Sequence, residues 1–248
     1  MKQKTPQRVA LVTGATRGLG QETARQLARQ GLHVLLGARR AASAQDTLAG
    51  ITRAGGSAEI IELDVDDAAS IAAAARAIAS RHGRLDVLVN NAGVMRDGAW
   101  NGNTAASVSD ATLKATFQTN FFGQVALTQA LWPLLRRRGH ASVVNVSSIM
   151  GSNTVHANPQ GPLAGFKPFA YDASKAALNA FTTHLAEIGA ADGIKVNSAH
   201  PGWVRTELGT DHAPLGVAEG AQTIVDLALL PADGPTAQFV HRGEPLPW

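Results

Sequence analysis

Residues 8–20 read RVALVTGATRGLG, an apolar run ending in a turn that carries Gly14, Gly18 and Gly20. An apolar stretch without alternation suits a strand buried on both faces, the habit of parallel sheets. The glycines let the backbone bend sharply and approach a ligand. The helix that starts there offers unpaired N–H groups and positive potential to a pyrophosphate. The turn departs from G-x-G-x-x-G, because Thr23 stands where a third glycine would follow Gly18 and Gly20. Alone, it also fits a glycine-rich strand-to-helix turn without a ligand, so the rest of the chain has to choose.

Similar runs recur as HVLLGAR, AEIIELD, LDVLVNN, ASVVNVSS and IKVNSAHPG. Between them lie Ala-rich segments of helical period at 18–30, 43–54, 67–81, 111–138 and 171–191. Residues 217–230 predict one further helix, and AQFVH (237–241) a last strand. This alternation predicts βαβ units, with helices on both faces of the sheet. The expected fold is α/β, a doubly wound parallel sheet of Rossmann type in a single domain over residues 1–248. Two stretches rich in Gly and Pro, 149–170 and 202–216, interrupt the rhythm. Both follow strands, on the side of an open α/β sheet where ligands bind. Loops this long in a compact domain are usually functional or disordered, and the two are expected to be an active-site insertion and a substrate lid.

The chain has 248 residues, 45% of them hydrophobic and 17% charged, with mean hydropathy −0.02. Those values describe an ordinary soluble globular protein with a substantial core. A formal charge of +3 gives no nucleic-acid face. The basic run Arg136-Arg137-Arg138 ends a helical pattern, where cations complement the helix dipole. With no cysteine there is no disulfide or thiolate chemistry. Without H-E-x-x-H either, no metal site is expected, and His156, His200 and His212 read as solvated or core-satisfying. No apolar stretch of signal-peptide length precedes the first strand, and none approaches the roughly 18 residues of a membrane span. The expectation is a cytoplasmic protein with no membrane partner.

The second strand ends Leu36-Gly37-Ala38-Arg39-Arg40. Folds that bind NAD place an acid about 20 residues beyond the glycine turn, on the ribose 2′-hydroxyl. Here Arg39 stands in that neighbourhood, Arg17 can reach it, and no carboxylate is present. Two guanidiniums suit a 2′-phosphate, so the expected cofactor is NADP(H). NNAG, with Asn91, Ala92 and Gly93, follows a fully apolar strand and permits close approach to a cofactor. Asp64 reads either as an adenine contact or, with Asp66, as a helix start.

FAYDASKAAL (169–178) holds the only tyrosine, with Lys175 four residues after Tyr171. Four residues on a helix share a face. A free tyrosine has a pKa near 10, and lowering it to about 7 takes roughly 4 kcal/mol of preference for phenolate. An adjacent ammonium in a partly dry site supplies much of that. Such a phenol protonates a developing alkoxide and removes the proton in reverse. Ser147 and Ser148, in VVNVSSIMG, place hydroxyls at a strand end that can hold a carbonyl oxygen.

TGATRGLG, NNAG, Asn120, VSS, YDASK and HPGWVRT together resemble the short-chain dehydrogenase/reductase family, from Arg8 to about Val240. The resemblance implies that Tyr171 is the general acid/base and that Lys175 holds the nicotinamide ribose. It implies that Ser148 orients the carbonyl and that Asn120 keeps a water in the proton relay. It places the cofactor against Gly14, Thr16, Arg17, Gly18, Leu19 and Gly20, then Arg39, Asp64, Val65, Asn91, Ala92 and Gly93, and also Tyr171 and Lys175. Pro201, Gly202, Val204 and Thr206 would meet its nicotinamide end. LDVDD, VNVSSIMG and HPGWVRTELG look closest to NADPH-dependent carbonyl reductases. The expected activity is therefore reversible reduction of a ketone or aldehyde. The 23 residues from Ser148 to Tyr171 exceed the usual family spacing. Ile149, Met150, Phe166 and Phe169 of that loop are expected to wall a substrate pocket. The rival readings are a dehydrogenase of a sugar, steroid or acyl-thioester alcohol, and a catalytically silent NADP(H)-binding regulator. Monomer and homo-oligomer both stay open.

Overall fold

The computed structural model describes residues 7–98, 102–137 and 139–248; Arg138 and the first six residues lie outside the described residues. Among the described residues one sheet runs in the order β3-β2-β1-β4-β5-β6-β7-β8. Its strands are β1 (Val9–Thr13), β2 (His33–Ala38), β3 (Ser57–Glu62), β4 (Val87–Asn90), β5 (Ala141–Val146), β6 (Ile194–Ala199), β7 (Phe239–His241) and β8 (Glu244–Pro245). The first seven pair in parallel, and β8 returns antiparallel to β7. This is the single doubly wound α/β domain that the alternation predicts. The β7–β8 hairpin is an addition, turned by Arg242 and Gly243 at positive φ.

Alternate residues of the central strands face opposite layers, as the period of two demands. Val12, Leu36, Val89 and Val144 pack with α1 (Gly18–Arg29), α2 (Gln45–Arg53) and α8 (Val217–Ala228). Leu11, Leu35, Leu88 and Val143 pack with α3 (Ala68–His82), α5 (Gly123–Arg136) and α7 (Phe169–Ala190). At roughly 1.5–3 kcal/mol per fully buried aliphatic side chain, this two-layer core holds the strand ends in place.

The segment expected as one helix over 111–138 is interrupted. It comprises α4 (Asp110–Phe117), a π-helical turn at Gln118–Phe122, and α5. Gly123 lies so close against Val65 that an added Cβ would stand 2.3 Å from the Val65 carbonyl oxygen. The Arg136 guanidinium meets Asp192 at 2.8 Å and Arg137 donates to Gly83 O at 2.9 Å, so both close a helix end. The segment 149–168, ahead of α7, contains a 3-10 turn (Ile149–Gly151) and one turn of helix, α6 (Asn153–His156). The C-terminal tail clasps it: Ser152 Oγ donates to Pro247 O at 2.8 Å and Thr154 N to Trp248 O at 3.0 Å.

Candidate active site

The glycine turn closes on the end of β4. Thr13 Oγ1 accepts from the backbone of Asn91 and Ala92, both at 2.9 Å, and Asn91 Nδ2 donates to Thr13 O at 2.8 Å. Asn91 thus braces the turn with its side chain. Gly14 and Gly18 adopt φ of 65° and 53°, in the left-handed region. At Gly20 a Cβ would stand 2.3 Å from Gly14 O, so only glycine allows the helix to start this close. The first turn of α1 has no side-chain cap and no acidic residue, and its N-cap Arg17 carries only donors. Uncapped N–H groups beside a cation make a cradle for an anionic pyrophosphate, and the turn fits that group. Thr16 and Leu19 are half-buried in it.

Further along the strand ends, Arg39 is exposed after β2. Asp64 accepts from Asp66 N at 3.0 Å, while Asp67 caps α3 by accepting from Ala69 N. Asp66 instead accepts from Thr119 Oγ1 at 2.9 Å. Of the two readings of Asp64, its hydrogen bond belongs to the helix-entry turn. Val65 is buried against α5.

Tyr171 lies in the first turn of α7, which begins two residues earlier than the sequence pattern suggests. Asp97, from the loop after β4, accepts from Ala170 N at 3.1 Å and Tyr171 N at 3.2 Å. A carboxylate 74 residues away in sequence thereby caps the helix whose own N-cap, Pro168, offers no acceptor side chain. The body of α7 is tied to the sheet through polar groups: Asn145 Nδ2 donates to Thr182 Oγ1, which meets Ser198 Oγ, both at 2.8 Å.

The Tyr171 phenol shares a hydrogen bond with the Ser148 hydroxyl. Ser147 turns away, its Oγ reaching Lys175 O at 3.5 Å, so of the two serines Ser148 meets the phenol. Lys175 Nζ donates to Val146 O at 2.7 Å and sits 5.6 Å from the tyrosine ring centroid. Gly93 faces this group: a Cβ there would lie 3.4 Å from Asn120 Oδ1 and 3.5 Å from Lys175 Nζ. Asn120, in the π turn, accepts from Val94 N and donates to Val94 O, both at 2.8 Å, and donates to Ser174 Oγ at 3.0 Å. Its amide fastens the loop after β4 to α7.

The electrostatics overturn one expectation. Burial pushes the Tyr171 phenol up to about 12; the Ser148 hydrogen bond opposes this and the Asp172 charge adds to it. Burial brings Lys175 down to about 8. The ammonium is held against the Val146 carbonyl and does not draw the phenol down, so in this structure Tyr171 is a neutral acid. Asp172 is raised to about 8 by burial and then by Asp97, against the pull of Lys167.

Around the phenol the walls are apolar. Met150 and Leu163 cluster with Tyr171, and Met95, Ile149, Val155 and Leu208 pack against them. Of the four loop residues expected to line a pocket, Ile149 and Met150 belong to this cluster, while Phe166 is exposed. Leu163, Val155, Met95 and Leu208 carry no sequence signal, because irregular loops have no period to reveal an inward face.

The 202–216 segment is knit to itself: Val204 bridges Leu215, and Arg205 Nη1 donates to Ala213 O and Pro214 O, both at 2.9 Å. Gly202, at φ 87°, follows Pro201 into it. It reaches the glycine turn twice. Thr206 lies against Gly18, and Glu207 pairs with Arg17 at 2.6 Å. Arg17 is therefore already paired in this structure, and both partners are well exposed.

The model of the short chain dehydrogenase family matches residues 8–214. The chain belongs to that family. It is 33% identical over 283 aligned positions to carbonyl reductase [NADPH] 1 of Mus musculus, covering 97% of this chain and 98% of the relative. The NADPH-bound carbonyl reductase from chicken fatty liver superposes with a TM-score of 0.83 at 28% identity, covering 98% and 99% of the two chains. A 3-ketoacyl-ACP reductase of Sinorhizobium meliloti gives a TM-score of 0.78 at 28% identity, covering 94% and 96%. Among the described residues no helix is long and apolar enough to cross a membrane.

In this short chain dehydrogenase His200 connects the two loops. Its Nδ1 accepts from Ile149 N at 3.2 Å and from Gly202 N at 3.4 Å. Burial, then the neighbouring His241, depresses its pKa to about 3. Between pH 6.5 and 3 the unfolded chain binds a proton here that the folded chain refuses. This contribution to stability is complete above about pH 7 and shrinks as pH falls, by on the order of a few kcal/mol. Urea unfolding at pH 7 and pH 4 is expected to show a shallower loss for His200→Gln, which keeps an acceptor, than for the parent; equal slopes would count against this assignment.

Proposed function

We propose that the protein is an NADPH-dependent reductase of apolar ketones or aldehydes. The observation that carries this reading is the neutral Tyr171 phenol, hydrogen-bonded to Ser148 beside a buried Lys175, at the strand ends that carry the glycine turn. The cofactor, when bound, supplies hydride to the carbonyl carbon. Ser148 holds the carbonyl oxygen, and Tyr171 donates its proton as the alkoxide develops. Lys175, near its pKa of about 8, holds the cofactor's ribose and restores the proton to the phenol. The Asn120 amide is occupied by Val94 and Ser174 and sets the loop after β4 beside Lys175; by its family resemblance Asn120 is the residue that keeps the water of the relay. The backbone N–H groups at the start of α1 hold the pyrophosphate, with Thr16, Leu19 and Gly14 shaping the turn. Ala92 and Gly93 would leave room for the rings, and Pro201, Gly202, Val204 and Thr206 would border the nicotinamide; Asp64 and Val65, held in the turn that enters α3, would meet the adenine by backbone rather than by the Asp64 carboxylate.

The names of the mouse and chicken relatives support NADPH. Arg39, exposed after β2 with no carboxylate next to it in the sequence, is the anchor for the 2′-phosphate, and Arg17 joins it when released from Glu207. A hydrogen bond to a charged group contributes about 1.5–3 kcal/mol. Arg39→Ala is therefore expected to raise KM for NADPH roughly tenfold or more and leave that for NADH unchanged. An equal effect on both coenzymes would remove Arg39 from this role.

The apolar cluster at Tyr171 favours aryl or alkyl ketones over sugars, whose hydroxyls would lose water there without replacement. The ketoacyl reductase neighbour keeps acyl-thioester alcohols as the second reading. Oxidation of NADPH and NADH against aryl ketones, aldehydes, sugars and ketoacyl thioesters decides between them. Turnover of ketones with NADPH supports the proposal. Turnover of ketoacyl thioesters alone transfers it to the second reading, and tight NADPH binding without any turnover leaves a regulator.

A further inference from the structure

At the edge of the sheet opposite the glycine turn, His33, Glu59 and His82 converge. His33 opens β2, Glu59 lies in β3 and His82 closes α3, so no local spacing announces them. Along their strands His33 and Glu59 share a face with Leu35 and Ile61, whose packing against Ile71 and Ile78 draws α3 across that side. His82 Nε2 stands 2.6 Å from Glu59 Oε1, and His33 Nε2 stands 3.8 Å from the same oxygen. One ligand atom from each residue lies within 4.8 Å of the other two, and all three side chains are half-buried.

We propose that His33, Glu59 and His82 form a binding site for a zinc-class divalent cation that clamps β2, β3 and the end of α3 together. Two imidazoles and a carboxylate are a donor set such ions take, with a fourth position left to water. Bonds of about 2.0–2.1 Å in a tetrahedral array set neighbouring ligand atoms roughly 3.3 Å apart. The observed 2.6 and 3.8 Å straddle that value, so side-chain shifts of under about 1 Å suffice. The supporting groups are in place too. Ser57 Oγ lies 2.7 Å from His33 Nδ1, placed to accept an Nδ1–H in the tautomer whose Nε2 lone pair would take the ion. Arg81 Nη1 meets only the other carboxylate oxygen, Oε2, at 3.1 Å, so Oε1 stays open to the ion although the guanidinium charge opposes it. The C-terminal end of α3 faces the cluster with the negative pole of its dipole. From His33 to Ala38 the strand rises roughly 17 Å, so the clamp stands apart from the reductase site.

The test is calorimetric titration of zinc chloride into tag-free, chelator-treated protein, paired with its melting temperature. One equivalent should bind and raise Tm. His82→Ala and Glu59→Gln should each weaken binding by more than about tenfold and abolish the Tm rise, and Ser57→Ala, which keeps every ligand, by about tenfold. Arg81→Gln should tighten it, because a neighbouring positive charge is removed, an effect that general loss of structure cannot produce. Absence of a binding heat would overturn the site. So would one equivalent that survives in His82→Ala, since the ion would then sit elsewhere among the eight histidines.

Discussion

Replacing Tyr171 by Phe is expected to lower kcat for carbonyl reduction by about 10²–10⁴-fold, the usual worth of a positioned proton donor. The change removes one oxygen from a buried side chain whose ring is packed by Met150 and Leu163, so the fold stays intact. The cofactor cradle is built from other residues, and NADPH affinity measured by fluorescence should hold within about twofold. Wild-type turnover in the variant would eliminate the mechanism. Direction dependence gives a second reading of the same group. With the phenol near 12, reduction finds its acid protonated throughout the neutral range. Alcohol oxidation needs the phenolate and should accelerate as pH rises, whereas reduction should decline once Lys175 loses its proton above about 8.

Asp97→Ala is expected to be the most damaging change away from the reacting atoms. It strips acceptors from two N–H groups in the buried first turn of α7, each costing about 1–3 kcal/mol when left unsatisfied. A loss of roughly 2–4 kcal/mol in urea unfolding should result, together with a fall in kcat as Tyr171 drifts from Ser148. Asp97→Asn retains one acceptor oxygen and should lose about half as much. A destabilisation below about 0.5 kcal/mol for Asp97→Ala would show that water satisfies those amides equally well.

The legible part of this protein is local. The central strands β1, β2 and β4 declare themselves by apolar runs, and the glycine turn, Tyr171, Lys175 and the serine pair can be read from spacing because each works within a turn or two of chain. What escaped the sequence depends on distant partners. QTNFF looks as helical as its flanks; the π turn forms where Asn120 is drawn to Val94 and Ser174 while Gly123 meets Val65. Arg17 and Glu207 are 190 residues apart, and nothing near either residue predicts the other. The direction of the Tyr171 shift depends on burial and on the Val146 carbonyl that holds Lys175, neither visible in Tyr-x-x-x-Lys. The β7–β8 hairpin had a readable turn in Arg242-Gly243, but a two-residue strand lies below what a pattern can show.

The cap that Asp97 lends to α7 also fixes an order of assembly. A helix nucleates at whichever turn forms first, and the N-terminal turn of α7 gains its cap only when the loop after β4 has docked. Loop closure over such a separation comes late relative to local helix growth. The body of α7 can therefore wind before Tyr171 is set, and the proton donor is among the last groups to reach its place. Hydrogen exchange during refolding should show the Ala170 and Tyr171 amides gaining protection together with β4, well after those in the middle of the same helix.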